Sequence, residues 1–319
     1  MSLLHEIAKN KNVAKPVIYG LAGTSLTNEE KYFFSKAKPL GFIVFKRNIE
    51  DKTQLKNLTK SLREISGGEV LVLVDQEGGR VARLKAPHWA TYPAGEHFAK
   101  LYEKNPAEAC SALFENFAKI AADLVEVGIN VDCAPVLDVL TEKTHDVIGD
   151  RAYGTNAAQV TILGRKVCEG LLSKGVYPVI KHIPGHGRGT CDSHLELPKV
   201  DATLAELRAN DFAPFLDLRD QKFAMTAHIL YSAIDAANCA TTSPTAIDLI
   251  RGEIGFKNIL MSDDISMKAL GGSFSERTKK ILAAGCDLVL HCNGVMQEMQ
   301  EIDSALPNLR DEFFERFVA

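Results

Sequence analysis

Eight short apolar runs, rich in β-branched residues, alternate along the chain with longer segments of helical period. The runs cover residues 17–21, 41–45, 70–74, 129–134, 176–180, 223–227, 259–262 and 287–291. Runs of that length are typical of buried strands, and the amphipathic segments between them predict helices. The main predicted helices span 53–65, 108–127, 157–173, 203–219, 245–253, 275–284 and 296–318. Eight alternating units predict an α/β fold, a single (β/α)8 TIM-type barrel, whose usual size is about 250 residues plus insertions.

An open doubly wound sheet is the competing architecture. Its usual marker is a GxGxxG fingerprint after the first strand, whereas this chain has Gly-Leu-Ala-Gly-Thr at 20–24. No linker, repeat or low-complexity segment divides the sequence, so we expect one domain over residues 1–319, with 86–105 as a decoration. Two capping-box patterns, Thr203 with Glu206 and Asp51 with Gln54, predict helix starts.

Charge and composition exclude several classes of protein. The chain has 319 residues, a net charge of −4 and a pI near 6.2, which gives no reason to expect nucleic acid or an anionic membrane as a partner. A leader segment and a membrane-spanning run are both missing from the sequence, so a cytoplasmic location is expected. The seven scattered cysteines form no CxxC motif, which favours reduced thiols. We expect a monomer without a cofactor.

The segment after the fifth predicted strand contains the densest group of ionisable residues. It has the sequence Lys-His-Ile-Pro-Gly-His-Gly at 181–187, followed by Asp-Ser-His at 192–194. Proline and glycine prevent a regular element here, so the segment is predicted to be a mobile loop at the end of a strand. Catalytic groups of parallel α/β folds lie at such strand ends, which indicates an active site.

Polar side chains also follow almost all of the remaining predicted strands. Because the carboxyl ends of parallel strands meet at one rim of a barrel, these groups are expected to form a polar, chargeable face. They are Lys46, Arg47 and Asn48; Asp75, Gln76, Glu77, Arg80 and Arg83; Asp138, Asp150 and Arg151; Lys181 and His182; His228; Asp263 and Asp264; and His291, Cys292 and Asn293.

Asp263 ends the seventh apolar run, and a carboxylate fixed there can act as a nucleophile, a base, a metal ligand or a helix cap. Its neighbour Asp264 is expected to point the other way and to cap a helix beginning at Ser266. Asp192 and His194 share a face if the loop is extended, so the carboxylate could orient the imidazole as a proton shuttle. An exposed turn is the alternative for that pair.

Several residues of the predicted rim could bind a ligand with many hydroxyl and amide groups, such as a sugar. Paired side chains of this kind could equally form salt bridges at the surface. The residues concerned are Asp75, Arg83, Arg151, Lys181 and His182.

The histidines could also belong to a metal site. His182 and His186 are four residues apart, but Pro184 and Gly185 exclude the helix that would bring them to one face. His228 and Asp263 could complete a ligand set, although Lys181 beside it would repel a cation. No metal is expected.

The motifs taken together resemble glycoside hydrolase family 3, and within it the bacterial cytoplasmic β-N-acetylglucosaminidases. The family pattern Lys-His-Phe-Pro-Gly-His-Gly matches 181–187 with Ile183 in place of Phe, and its Asp-Ser-His matches 192–194. Val-Asp-Gln-Glu-Gly-Gly-Arg-Val is complete at 74–81. Further matches lie at 134–139, 148–151, 226–229 and 262–267, so the resemblance covers about residues 17 to 293.

The resemblance implies a retaining reaction with a covalent glycosyl-enzyme. Asp263 would be the nucleophile, His194 the general acid and then base, and Asp192 the residue that orients His194. An imidazole would thus replace the second carboxyl group of most glycosidases. The five sugar-binding candidates would hold a terminal N-acetylglucosamine. The implied substrates are peptidoglycan fragments, N-acetylglucosamine linked β-1,4 to anhydromuramic acid with or without peptide, and the implied role is cell-wall recycling.

Three alternatives remain open at this point. Phosphate rather than water could release the sugar from Asp263, because a histidine repels phosphate less than a carboxylate does. A metal-dependent barrel hydrolase would lose activity on chelation. A sugar-binding module would bind without turnover. The sequence leaves open whether His186, His228 and His291 contact substrate or support other residues.

Overall fold

The eight apolar runs form the eight parallel strands of a closed barrel in a computed structural model that describes residues 2–192 and 195–319. Strands are labelled in chain order, and the barrel runs β1, β2, β3, β4, β5, β7, β9, β10 and back to β1. Their bounds are β1 Lys15–Gly20, β2 Pro39–Val44, β3 Leu71–Val74, β4 Val131–Asp132, β5 Tyr177–Ile183, β7 Phe223–Thr226, β9 Ile259–Asp264 and β10 Leu288–His291. The predicted TIM-type barrel is therefore confirmed.

Two short strands outside the barrel, β6 Lys199–Val200 and β8 Leu230–Tyr231, pair with each other. They tie the loop after β5 to the loop after β7. Neither was predicted, because a two-residue strand has no periodicity of its own.

Most helices surround the barrel and lie between successive strands, whereas α1 precedes β1 and α11 and α12 follow β10. Their bounds are α1 Leu3–Lys9, α2 Asn28–Ala37, α3 Lys52–Ile65, α4 Gly95–Lys104, α5 Pro106–Glu126, α6 Ala157–Leu172, α7 Leu204–Glu206, α8 Ala213–Asp217, α9 Pro244–Gly252, α10 Phe274–Ala284, α11 Met296–Asp303 and α12 Asp311–Val318. Helices α1, α2 and α4 were not predicted, and α4 lies within the segment expected to decorate the barrel.

Successive strand residues contribute to two different apolar layers. In β3, Leu71 and Leu73 belong to the cluster inside the barrel, whereas Val72 and Val74 pack outward with the helices. This alternation is the period of two that a strand imposes. Both faces are buried, which is why the strands read as continuous apolar runs in the sequence.

The interior layer continues into two helices at the end of the barrel where the strands begin. Leu4 and Ile7 of α1 and Phe313 and Phe317 of α12 belong to the same cluster as the inward-facing strand residues. The ring of Phe317 lies 6.1 Å from that of Phe223, the first residue of β7. This end is therefore closed by apolar side chains.

The predicted terminal helix over 296–318 is wrong in one respect, because it is two helices, α11 and α12. Pro307 lies between them and cannot continue a helical hydrogen-bond ladder. After it the chain turns back onto the barrel, where the Leu309 amide donates to the Ala14 carbonyl just before β1.

The segment predicted as one helix over 203–219 is also interrupted. It consists of α7, a π-helical turn at Leu207–Asp211 and α8, which carries Pro214 at its start. Pro214 has no amide proton to donate, so the ladder is displaced there. The Thr203–Glu206 capping box is present in full.

The capping box predicted from Asp51 and Gln54 is only half formed. Asp51 accepts from the Gln54 amide, but Gln54 Oε1 accepts from Glu50 and its Nε2 donates to carbonyls of Thr24 and Asn48. Gln54 therefore ties α3 to the loop after β1 instead of closing the cap.

No helix within the described residues is long and apolar enough to cross a membrane.

Candidate active site

A pocket of about 220 Å³ opens at the carboxyl ends of the barrel strands. The five predicted sugar-binding residues and Asp263 all line it, although they come from four different parts of the sequence. Apolar residues form much of the remaining wall, including Ile43, Phe45, Met225 and Leu290. The pocket thus offers both hydrogen-bonding groups and apolar surface, the combination that a sugar ring with an acyl substituent needs.

Lys181 lies at the centre of a buried charge network on the pocket floor. Its side chain is 3% exposed, and Nζ lies 2.9 Å from Asp75 Oδ1 and 2.7 Å from Glu77 Oε1. Arg83 donates to the other Asp75 oxygen at 3.0 Å. Arg151 binds Glu77 through two nitrogens, each at 2.8 Å. Each charge on the floor therefore has at least one partner of opposite sign.

These partners decide the protonation states of the network. Burial alone would raise the pKa of Glu77, but Arg151 and Lys181 beside it lower that pKa to about 2. Asp75 is partly buried, and Lys181 and Arg83 hold its pKa below the ordinary value. Burial opposes the charge of Lys181, yet the two carboxylates raise its pKa. The floor keeps fixed charges across the neutral range.

Asp138, at 0% exposure, joins the end of β5 to the loop that follows it. One of its oxygens accepts from His182 Nδ1 at 2.7 Å, and the other from the His186 amide at 2.6 Å. Burial opposes its charge, but His182 and the hydrogen bonds lower the pKa of Asp138 to about 2. Because Asp138 is ionised, Nδ1 of His182 is the donor and Nε2 is left for the pocket.

His186 also lines the pocket, with its ring centroid 5.5 Å from that of His182. Burial lowers the pKa of His186 to about 4, so the imidazole is neutral at neutral pH. Its Nδ1 is buried without a partner among the described residues. The sequence did not decide whether His186, His228 or His291 contacts substrate, and of these three His186 is the one that lines the pocket.

The other two histidines support the neighbouring strands. His228 accepts from Thr241 at Nδ1 and donates from Nε2 to the Asp264 carbonyl at 3.0 Å. Burial lowers its pKa, which agrees with the neutral form that this bonding requires. His291 binds Glu298 at 2.7 Å on the helix side of β10.

Asp263 lies at the end of β9 with its side chain half-buried on the pocket wall. Its Oδ1 accepts from the Asp264 amide at 2.7 Å, and His228 holds the carbonyl of the same Asp264. The backbone that carries the Asp263 carboxylate is therefore fixed from two directions.

The expectation for Asp264 is wrong in two respects. No helix begins at Ser266, since residues 265–270 form turns, and Asp264 lines the pocket beside Asp263. Its carboxylate accepts from the amides of Ser266 at 3.0 Å and Cys292 at 3.1 Å. Asp264 thus closes a tight turn and joins the ends of β9 and β10.

The predicted pair of Asp192 and His194 is described only in part. Ser193 and His194 lie outside the described residues, whereas Asp192 is half-buried and its carbonyl accepts from the Leu195 amide at 2.9 Å. The loop leading to it is fixed at Gly187, where a Cβ would lie 1.8 Å from the Val139 carbonyl. A side chain has no room there.

Sequence reasoning placed Glu77 and Asp138 on the polar rim but assigned them no role, although they hold four of the pocket residues in place. Glu77 is two residues after Asp75, and side chains two apart share a face of an extended segment, so its position was a usable signal. Asp138 gave no comparable signal, since its contact with His182 depends on how two loops meet.

The described residues contain no group of three or more His, Cys, Asp or Glu side chains placed to hold a metal ion. Of the four candidate metal ligands, His182, His186 and Asp263 line the pocket, but both ring nitrogens of His228 are bound elsewhere.

Comparison with known proteins identifies the family of the chain. Residues 13–316 match the family model described as glycosyl hydrolase family 3 N terminal domain. The β-hexosaminidase of Bordetella avium is 33% identical over 305 residues, covering 94% of this chain and 83% of that protein. The β-hexosaminidase of Alkalilimnicola ehrlichii is 36% identical over 282 residues, covering 87% and 80%.

Solved structures give the same result. NagZ from Neisseria gonorrhoeae in complex with N-trifluoroacetyl-D-glucosamine has a TM-score of 0.89 and 31% identity, covering 96% of this chain and 90% of that one. A family 3 β-N-acetylglucosaminidase from Paenibacillus has a TM-score of 0.87 and 28% identity, covering 97% and 60%. This chain is a glycoside hydrolase with β-N-acetylhexosaminidase activity, and it belongs to glycosyl hydrolase family 3.

Proposed function

We propose that the protein is a retaining exo-β-N-acetylglucosaminidase that removes the terminal N-acetylglucosamine from peptidoglycan fragments. Its substrates would be disaccharides of N-acetylglucosamine and anhydromuramic acid, with or without peptide, and its role would be cell-wall recycling in the cytoplasm. The observation that carries the proposal is the convergence of Asp263 with five sugar-binding candidates in one pocket of about 220 Å³.

The exo action is supported by the closed floor of the pocket. Lys181, Asp75 and Glu77 form a buried ionic layer below the space for the sugar. A sugar chain cannot continue through a layer of packed and paired side chains, so the bound residue must be a chain end. Fixed charges in that layer suit recognition of hydroxyl groups because they need no rearrangement on binding.

In the proposed first step, an Asp263 oxygen attacks the anomeric carbon while the bond from that carbon to the aglycone oxygen breaks. His194 donates its proton to the departing oxygen, and Asp192 stabilises the imidazolium beforehand. In the second step a water attacks the anomeric carbon, the bond to Asp263 breaks, and His194 takes the water's proton. The fixed backbone around Asp263 supports the nucleophile role, because covalent catalysis requires a defined approach to the carbon.

The substrate class is supported by the relatives, whose names describe β-hexosaminidases, and by the NagZ complex with an N-acylated glucosamine. The cytoplasmic location is supported by the cysteines, since all seven are free thiols. Free thiols are typical of reducing compartments.

The test is hydrolysis of 4-nitrophenyl N-acetyl-β-glucosaminide by the wild-type protein and by Asp263→Asn, with and without phosphate and after chelation. We expect free N-acetylglucosamine, no dependence on phosphate or metal, and a fall in kcat of at least about 10⁴-fold in the variant. A 2-fluoro sugar should form an adduct on Asp263. Release of a sugar 1-phosphate would make the enzyme a phosphorylase, and an adduct elsewhere would exclude the nucleophile assignment.

A second variant tests the acid. His194→Ala should slow substrates with poor leaving groups, such as the natural disaccharide, far more than activated aryl glycosides, because activated groups need little protonation. Equal losses of kcat/KM on the two kinds of substrate would contradict an acid role for His194.

A further inference from the structure

Gln76 is a buried glutamine whose side chain closes the loop after β3 from the inside. It is 2% exposed, and its Oε1 accepts from the amides of Arg83 at 2.8 Å and Leu84 at 3.0 Å. Its Nε2 donates to the Leu84 carbonyl at 3.0 Å. One side chain therefore joins the start of the loop to residues seven and eight positions later. The proposed reaction gives Gln76 no role.

The main chain of Gln76 is fixed as well. Its amide donates at 2.9 Å to Oδ1 of Asp132, a fully buried residue of β4. Gln76 lies between Asp75 and Glu77, the two carboxylates of the pocket floor. Asp132 thus fixes the backbone from which both of those side chains project, and it gives the Gln76 side chain a defined starting point.

Arg83 is the pocket residue that depends most directly on this closure. Its backbone amide is bound by Gln76, whereas its side chain reaches the pocket, where Nη2 donates to Asp75 Oδ2 at 3.0 Å. The guanidinium carbon lies 5.4 Å from the centre of the Phe45 ring. Because the arginine is held at its backbone and at its guanidinium, it has one defined reach into the pocket. Such ordering before the sugar binds lowers the entropic cost of binding.

The other backbone hydrogen bonds of this loop act nearer its tip. The Glu77 amide donates to the Val81 carbonyl at 2.9 Å, and the Gly79 amide donates to the Tyr92 carbonyl at 2.8 Å. These bonds hold residues 77–81 and do not involve residue 83. Removing the Gln76 side chain would therefore release the backbone of residue 83 while the tip of the loop stays closed.

We propose that Gln76 is a positioning residue that sets the reach of Arg83 toward the sugar. Gln76 acts through Arg83 without touching the substrate, because both polar atoms of its side chain are bound within the protein. The inference rests on the proposed function, in which Arg83 binds the terminal N-acetylglucosamine, and adds the residue that prepares Arg83 for binding. Loss of such an interaction weakens ground state and transition state alike, so KM should rise while kcat changes little.

The experiment compares Gln76→Met, which keeps the length of the side chain and removes its hydrogen bonds, with the matched control Gln54→Met. Gln54 also makes three hydrogen bonds to main-chain groups of loops at the carboxyl ends of strands, and none of the three partner residues lines the pocket. Both variants should unfold at lower urea concentration than the wild type. On the 4-nitrophenyl glycoside we expect Gln76→Met to raise KM about 10-fold and to change kcat less than about 3-fold. Gln54→Met should change KM less than about 2-fold.

A double-mutant cycle with Arg83→Met tests whether Gln76 acts through Arg83. Arg83→Met alone should raise KM about 30-fold, and adding Gln76→Met to it should raise KM less than about 2-fold further. A purely structural role of Gln76 would instead multiply the two effects in full. If Gln76→Met does not fold, Gln76→Glu takes its place in the cycle, because it has the same length and keeps an oxygen that can accept from the Arg83 amide.

The outcomes separate this inference from the proposed function. If the Gln76 variant keeps the wild-type KM, or if the effects in the cycle multiply, the positioning role is overturned and the proposed function stands. If Arg83→Met keeps the wild-type KM, Arg83 does not bind the sugar, and the inference fails together with that part of the proposed function. If the wild-type protein does not hydrolyse the glycoside, both fail.

Discussion

The two ends of the barrel are closed by opposite kinds of side chain. Where the strands begin, apolar residues of α1 and α12, such as Ile7 and Phe317, continue the interior layer and leave no space. Where the strands end, Lys181 and its carboxylate partners are buried almost as deeply, and a pocket remains above them. Burial alone therefore does not distinguish a structural region from a functional one.

The difference lies in what each kind of closure costs. Transfer of apolar side chains out of water is favourable, by about 25 cal/mol for each Å² of apolar surface buried. Buried charges lose hydration, and their mutual attraction only roughly offsets that loss. A buried ionic layer is thus a poor way to stabilise a barrel, and its presence at one end indicates selection for binding. The predictions below compare the two ends directly.

The largest effect is expected from Glu77→Gln. Arg151 would lose its carboxylate partner and Lys181 one of two, so we expect a loss of about 3–5 kcal/mol in unfolding free energy and a KM raised about 100-fold. Glu69→Gln is the matched control, because Glu69 binds Arg63 in a partly exposed pair before β3 begins. The Glu69→Gln variant should lose at most about 1 kcal/mol of unfolding free energy. Urea unfolding and steady-state kinetics measure both; equal losses would contradict the contrast between the ends.

Phe317→Ala should lose a similar amount of stability and keep its activity. Removing a fully buried ring from the apolar end should cost about 3–5 kcal/mol of unfolding free energy, through lost burial and the cavity left behind. We expect kcat/KM to stay within about twofold, since the pocket is at the other end. Phe314→Ala, at a half-buried position of the same helix, should cost less. A large fall in activity of the folded Phe317 variant would show that the ends are coupled.

The smallest effect is the dependence of stability on acid pH. The folded-state pKa of Glu77 is about 2, below its unfolded value near 4, so its stabilising contribution is complete above about pH 4.5 and is lost as pH falls toward 2. It should amount to about 3 kcal/mol. The pKa of His186 is lowered to about 4 in the folded protein. Stability should therefore also fall as pH drops from 6.5 to 4, because over that range the unfolded state binds the proton and the folded state does not.

The check is urea unfolding of the wild type and Glu77→Gln at several pH values. Their difference in unfolding free energy should be constant above pH 5 and should shrink steadily below it. A difference that stays the same at pH 3 would mean that the Glu77 carboxylate is not held in its charged form.

The fold could be predicted because each strand is buried on both faces and therefore reads as an apolar run. All eight runs became barrel strands, although β4 has only Val131–Asp132 where 129–134 was expected. The helices were less predictable where one proline decides the outcome. Pro307 separates α11 from α12, and Pro214 accompanies the π-helical turn, yet neither interrupts the apolar period that suggested one helix.

The polar rim of the pocket could be predicted from the strand ends, but the partnerships within it could not. Nothing local in the sequence pairs Glu77 with Arg151, which are 74 residues apart. The turn at Asp264 was also missed, because its carboxylate is satisfied by the Cys292 amide of another strand end. Such contacts depend on how loops from different strands meet above the barrel.

The position of α1 and α12 side by side, opposite the pocket, has a practical consequence. Leu3 and Leu4 of α1 and Phe313 and Phe314 of α12 contribute to one apolar layer at the far end of the barrel. A surface or a carrier attached through either helix would therefore leave the catalytic face turned toward the solution. The enzyme should be well suited to immobilisation by these helices, even for glycosides with a bulky aglycone.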